Sequence, residues 1–359
     1  MISHPPSVFY VGGEYIRDGK GTHMSGQMCI RHYTKGIHHC PAIIFIHGAA
    51  QTRSHFEATP DGQPGLALLQ VQEGRDCYVV DLPGIGRSRY HHVDMGPLTH
   101  YTAEELQATF TAPNLDSWPT AKLHTQWPGT GKMRDANFDA FYASQVGHIA
   151  DYKIMEQLVR KAFRALLLKT GPAYLVTHSQ SGPLGWHIAD ECPDSIKGIV
   201  ALEPHGPPFE YPDFPPFDKR PQIVGILAHP FGITSTPLQY SPPLEINATQ
   251  LSYERYYNPK PQEAGLASGC RQKSPARHLV NLASIPVVVV TAEASYDTTF
   301  DHLTVEFLRD AGVSVEHVYL VDKGIHGNGH LMAIESNNQE IQRFINRCLV
   351  QMESVRKGP

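Results

Sequence analysis

The sequence predicts an α/β fold, a mostly parallel central sheet with helices on both faces and an inserted lid. Three observations carry this. Short continuous apolar runs, such as Ala42 to Ile46, alternate with stretches of helical periodicity, as buried parallel strands and their crossover helices do. With 359 residues and 41% hydrophobic content, the chain has enough apolar material for a full core. Residues able to do chemistry (His47, Ser179, Glu203 and His330) stand where the chain leaves those runs. Sheets of this kind bind ligands at that edge, beyond the carboxyl ends of their strands.

Taken in order, "SVFYVGGEYI" and "GQMCIRHYT" read as two opening strands joined through glycine-rich turns. "PAIIFIHGAAQT" is a buried strand ending at His47-Gly48, "GLALLQVQEG" a helix, and "DCYVVDLPGIGRS" a second buried strand running into a loop. That loop is not a dinucleotide fingerprint. Arg89 stands where the third glycine belongs, and glycine there is what permits close helix packing. Residues 90 to about 145 are broken by prolines. "IADYKIMEQLVRKAFRALLLKTG" has sustained helical periodicity and stops at Gly171. After "AYLVTHSQSG" and the buried strand "IKGIVALEP" comes a Pro-, Tyr- and Phe-rich stretch. The chain closes as strand, helix, strand, helix through "IPVVVVTAE", "FLRDAG", "VSVEHVYLVD" and "EIQRFINRCLVQM". The expected organisation is a core of residues 1–203 and 281–359, a pocket-forming insertion at about 90–145, and a lid at 204–280.

The stretch Leu175 to Gly182, "LVTHSQSG", runs from strand through a sharp turn into helix and holds two serines. A nucleophile at such an elbow needs small residues two places before and after it, because strand and helix pass close together. Ser179 has Thr177 and Ser181 there, whereas Ser181 would have Pro183. Ser179 is therefore the candidate nucleophile. Its base should come late in the chain. Of the 21 histidines, His326 and His330 lie in the loop before the last helix. His330, directly before that helix, is favoured, and the glycines beside the pair argue against a helical metal site. For the acid, Glu203 ends a buried strand, where a carboxylate without a partner carries a desolvation cost. Asp297 is the alternative, but Ser295 occupies the register where an aspartate is more usual, so Glu203 is favoured. Oxyanion donors are expected at the backbone N–H groups of Ala49 and Gln180, the latter at a helix N-terminus. Phe214, Phe217 and Trp127 are the expected substrate-contacting aromatics.

Together, "HGAAQT", "TPDGQPGLALL", "DCYVVDLPGIGRS", "THSQSG", "IVALEP" and "GIHGNGHLMAIESNN" resemble the α/β-hydrolase superfamily, and within it a subgroup of bacterial and fungal esterases. The resemblance spans residues 7 to about 350 and is weakest at 205–280. It implies the α/β-hydrolase fold and a Ser-Glu-His triad on Ser179, Glu203 and His330. Thr177 and Ser181 depart from the glycines commoner at the elbow.

The expected activity is serine hydrolysis of an ester, lactone or thioester of a bulky apolar small molecule through an acyl-enzyme. Acyl transfer or C–C bond hydrolysis on the same fold, and a non-catalytic ligand-binding protein, are the alternatives. No cofactor or metal is implied. A net charge of −5 argues against a nucleic-acid partner, and no apolar run approaches the ~20 residues of a membrane span. The expected partner is the small-molecule substrate, with a homodimer left open. Six scattered cysteines without CxxC spacing, and no recognisable leader, lead to the expectation of a cytoplasmic protein.

Overall fold

The computed structural model describes residues 5–36, 40–257 and 265–357. Eight strands form one sheet: β1 (Ser7–Asp18), β2 (Gly21–Tyr33), β3 (Ala42–Ile46), β4 (Cys77–Asp81), β5 (Ala173–His178), β6 (Ile196–Leu202), β7 (Val287–Thr291) and β8 (Val315–Tyr319). Their spatial order is β1-β2-β4-β3-β5-β6-β7-β8. β1 and β2 are an antiparallel hairpin, β2 meets β4 antiparallel, and every remaining pair is parallel. This is the expected mostly parallel α/β sheet.

Every residue of β5 is buried, as a central strand covered on both sides must be. Because successive side chains alternate faces, the apolar run of β3 feeds two cores. Ile44 and Ile46 point to one, with Phe163 and Leu166 of helix α2 (Tyr152–Thr170) and Leu184 and Trp186 of α3 (Ser181–Glu191). Ile43 and Phe45 point to the other, with Leu66 and Val71 of α1 (Leu66–Gln72) and Ile341 and Phe344 of the last helix (Asn338–Lys357). In α2, Met155, Val159, Ala162, Phe163 and Leu166 make the buried stripe. Asp151 caps its first turn by accepting the Lys153 N–H, and Gly171 ends it at a φ of 78°.

Between β6 and β7 the chain forms three short antiparallel ladders: Phe209–Glu210 with Leu227–His229, Tyr240–Ser241 with His278–Leu279, and Tyr253–Tyr256 with Gly269–Gln272. Its rear part is tied to the core through polar groups. Buried Glu156 of α2 accepts the backbone N–H groups of Ser235 (2.8 Å) and Thr236 (2.7 Å) and lies 3.0 Å from His187 Nε2. Arg160 Nε donates to His187 Nδ1 at 2.9 Å, which leaves the ring proton on Nε2, facing Glu156.

Candidate active site

The site is assembled at the carboxyl ends of β3, β5, β6 and β7. Between β5 and α3, Ser179 holds a φ of 55°, the left-handed backbone of an elbow. The surroundings over-determine that conformation. Ser179 N–H donates to the Leu202 carbonyl (3.0 Å), and its carbonyl accepts from Gly182 (2.8 Å) and His205 (2.9 Å). Ser181 is fully buried and faces away from the cavity. Its hydroxyl donates toward the Ile46 carbonyl (2.7 Å) and accepts the His178 N–H (2.8 Å). Close approach at the elbow is supplied by glycines downstream of the expected places. A Cβ on Gly185 would meet Thr177 at 2.8 Å, and one on Gly182 would meet Pro204 at 2.4 Å.

His330 is buried against two rings, Phe110 at 5.2 Å and Tyr296 at 5.0 Å between centroids, which themselves lie 6.2 Å apart. Its backbone carbonyl accepts from His178 Nε2 at 2.8 Å. Its loop is anchored by Glu335, also buried, which accepts from Asn328 Nδ2 (2.8 Å), Gly329 N (3.1 Å) and His124 Nε2 (2.8 Å). His326, by contrast, projects into solvent and pairs with Glu293 at 3.1 Å.

Two carboxylates meet His330 Nδ1. Glu203 Oε2 and Asp297 Oδ2 each lie 2.7 Å away. Glu203, at a φ of 44°, also accepts the Ala292 N–H (2.7 Å) and the Ser295 hydroxyl (2.8 Å). The register argument that set Asp297 aside does not hold in space. Ser295 starts a 3₁₀ turn by accepting the Asp297 N–H (3.2 Å), and this turn brings the Asp297 carboxylate back to the imidazole. A carboxylate on Nδ1 holds a proton there and makes Nε2 the nitrogen left to give or take one. Nε2 is buried and has no hydrogen-bond partner among the described residues.

The electrostatics follow from this crowding. Burial pushes the Glu203 carboxyl up to about 8, and the Asp297 charge reinforces the shift. For His330, burial favours the neutral ring, but the two carboxylates outweigh it and raise the imidazole to about 10. Burial drives the adjacent His178 well below the ordinary value and His55 to about 3. In the row His55–His178–His330, whose neighbouring rings lie 4.8 Å apart, only His330 is shifted toward the charged form.

Ser179, Gln180, Ala49, Asp297 and His330 border one cavity of about 380 Å³. The backbone N–H groups of Ala49 and Gln180 donate to no group among the described residues. Segment 90–145 contributes Tyr101, Phe110, Trp118 and Phe141 to the wall, and segment 204–280 contributes Tyr211, Phe217, Arg220 and Ile223. Of the three expected aromatic contacts, only Phe217 lines the cavity. Trp127 lies behind it, edge-on to Phe141 at 5.4 Å, and Phe214 borders a separate depression with Val224 and Tyr256. Sequence reasoning missed Phe110 and Tyr296, which pack against the imidazole and each other. Tyr296 was findable as the residue between two polar groups of the same strand-end loop; Phe110 had no sequence signal.

A model of the alpha/beta hydrolase family matches residues 43–342. The chain belongs to the alpha/beta hydrolase family. This hydrolase is 41% identical, over 96% of its length and 89% of the relative's, to a probable secreted lipase, phiG, from a fungal species (strain ATCC 74256). It also superposes on the structure of a novel bacterial esterase with a TM-score of 0.64, at 22% identity, covering 98% of this chain and 96% of that one, which supports the fold. The expected cytoplasmic location does not stand, because the fungal relative is described as secreted. Unpaired cysteines and the want of a recognisable leader were its basis, and neither decides a compartment. No helix among the described residues is long and apolar enough to cross a membrane.

Proposed function

We propose that this α/β-hydrolase is a serine esterase that cleaves a carboxylic ester with a bulky apolar portion through an acyl-enzyme on Ser179. The observation that carries the reading is that strained Ser179 and His330 border one cavity, the imidazole held at Nδ1 by two carboxylates and without a partner at Nε2 among the described residues. The lipase described for the 41% identical relative supports ester chemistry.

In the proposed reaction, Ser179 Oγ attacks the ester carbonyl carbon as its proton passes to His330 Nε2. The carbonyl oxygen becomes an oxyanion held by the Ala49 and Gln180 N–H groups, each worth ~2.7–4 kcal/mol in such sites. Collapse breaks the carbon–alkoxy bond, and the alcohol leaves with the proton from His330. Water then repeats the sequence on the acyl-enzyme and releases the acid. Glu203 and Asp297 hold the ring and stabilise the imidazolium. The Tyr211, Phe217 and Ile223 wall favours an apolar acyl or alkoxy group, and segment 204–280 acts as the lid.

A fluorophosphonate probe tests the nucleophile. Stoichiometric labelling of the wild type and none of folded Ser179→Ala supports the reading. A folded wild type that stays unlabelled and hydrolyses no ester in a series of graded acyl size would make this a ligand-binding member of the family.

A further inference from the structure

We propose that Asp18, His23 and His91 form a binding site for a zinc-type divalent cation at the edge of the sheet. None of the three borders the substrate cavity. Asp18 ends β1, His23 lies on β2 across the hairpin turn, and His91 comes from the segment that follows β4.

The donor atoms converge. Asp18 Oδ1 lies 3.2 Å from His23 Nε2, Asp18 Oδ2 lies 3.6 Å from His91 Nε2, and the three donors all fall within 4.8 Å of one another. Bonds of ~2.0–2.1 Å to a tetrahedral zinc place neighbouring donors roughly 3.3 Å apart, close to the spacings of His23 from Asp18 Oδ1 and of His91 from Asp18 Oδ2. The 3.6 Å contact is too long for a hydrogen bond, whereas a cation between the groups would satisfy both. The rings lie 5.1 Å apart between centroids, each with Nε2 toward the same carboxylate.

The donors are also oriented from behind. His91 Nδ1 bonds Asp94 Oδ1 at 3.0 Å, and Asp94 Oδ2 accepts the Ser25 hydroxyl. A carboxylate on the far nitrogen of a ligating imidazole fixes its tautomer and raises its basicity. Asp18 is aimed by the hairpin turn, whose Lys20 and Gly21 N–H groups donate to Oδ1 at 2.7 and 3.1 Å. The side chains of His91, Asp18 and His23 are 5%, 11% and 23% exposed, so a cation there would be largely enclosed with one open position toward water. Two imidazoles and a carboxylate suit zinc better than calcium or magnesium. The cation would staple the β1–β2 turn to the 91–95 segment and stabilise the fold without entering the reaction. This departs from the metal-free expectation, because the ligands are too scattered along the chain to show a ligand spacing.

The test uses the full-length protein, stripped with chelator, dialysed and titrated with zinc chloride by calorimetry, with thermal unfolding beside it. The expected result is one equivalent bound with a Kd on the order of micromolar or tighter and a rise in Tm. That equivalent should be lost in His23→Ala and His91→Ala and weakened ~10–100-fold in Asp94→Asn. Ester hydrolysis by the wild type should be unchanged by zinc removal. Should the alanine variants fail to fold, the milder Asp94→Asn and the visible spectrum of the cobalt-loaded wild type decide, tetrahedral cobalt bands supporting the site. The proposal is overturned if the stripped wild type takes up no zinc in excess metal. It is equally overturned if folded His23→Ala and His91→Ala bind as the wild type does, which would place the metal on surface histidines such as His326.

Discussion

At the floor of the cavity, buried acidic side chains tie neighbouring loops together. Glu203 joins the end of β6 to Ala292 and Ser295 after β7, Glu335 gathers the backbone around His330, and Asp81 accepts the Arg53 N–H (2.9 Å) and the Arg87 N–H (3.0 Å) in the loop after β4. Above it, residues 211–226 rest on aromatic contacts: Phe217 against Tyr211 at 4.7 Å and Phe300 at 5.3 Å, while Asp218, Lys219 and Arg220 are exposed. Charge-assisted bonds to buried backbone have one good geometry and fix positions to tenths of an ångström. Apolar contacts are non-directional and tolerate rearrangement. The floor is thus held by directional bonds, and the wall at 211–226 by contacts that can repack.

The sharpest break of that contrast is at the floor. Ser179→Ala should lower kcat by about 10⁶-fold, as loss of the nucleophile does in a well-studied serine protease. Ser181→Ala should keep kcat within about tenfold and instead cost about 1–3 kcal/mol of stability, since it strips partners from buried backbone groups. Equal loss of activity in both folded variants, read by steady-state kinetics, would move the nucleophile.

Next come the acids. Glu203→Gln and Asp297→Asn each leave one carboxylate on Nδ1, so each alone should cost far less than the double variant, for which about 10⁴-fold in kcat is expected. The pH profile separates their roles. His330 must lose a proton at Nε2 to act as base, and the two carboxylates raise its affinity for that proton, so wild-type kcat/KM should climb from neutral toward alkaline pH. Removing the Asp297 charge weakens that hold, and the rising limb of Asp297→Asn should move to lower pH. The opposite shift, or none, would show that Asp297 is not ionised beside the imidazole.

The contrast also predicts stability effects in the cover itself, whose rear is built like the floor. Glu156→Ala removes the acceptor of the His187 Nε2–H and of the Ser235 and Thr236 N–H groups, and should cost about 1–3 kcal/mol for each buried donor left without a partner, read by denaturant unfolding. Smallest is the aromatic wall. Phe217→Ala should lower kcat/KM for bulky esters by the ~1.5–3 kcal/mol of one buried side chain and leave a small acetate ester nearly unchanged. Trp127→Ala and Phe214→Ala, outside the cavity, should not discriminate by substrate size. Size-dependent kinetics in either would return that residue to the pocket.

The same contrast explains what was legible in the sequence. The strands were, because burial on both faces imposes continuous apolar runs, and the need of Glu203 for a buried partner was, because a carboxylate ending such a run demands one. Asp297 was misjudged because a single 3₁₀ turn after Ser295 converts an offset in sequence into a shared position in space. Phe214 and Trp127 were misassigned because aromatic content reveals that a surface is buried and not which surface. Compartment was misjudged because thiol count and terminal pattern are indirect signs of it. The His23–His91 pairing had no local signature at all.

His178 precedes Ser179 in the chain, and its ring holds the His330 backbone carbonyl. The two partners in the proposed proton transfer are therefore fastened to each other as well as to the scaffold. A displacement of β5 would draw the base loop along through this bond, so the gap between Oγ and Nε2 should fluctuate less than either atom does against the rest of the molecule. Such a linkage would keep the reacting pair in phase.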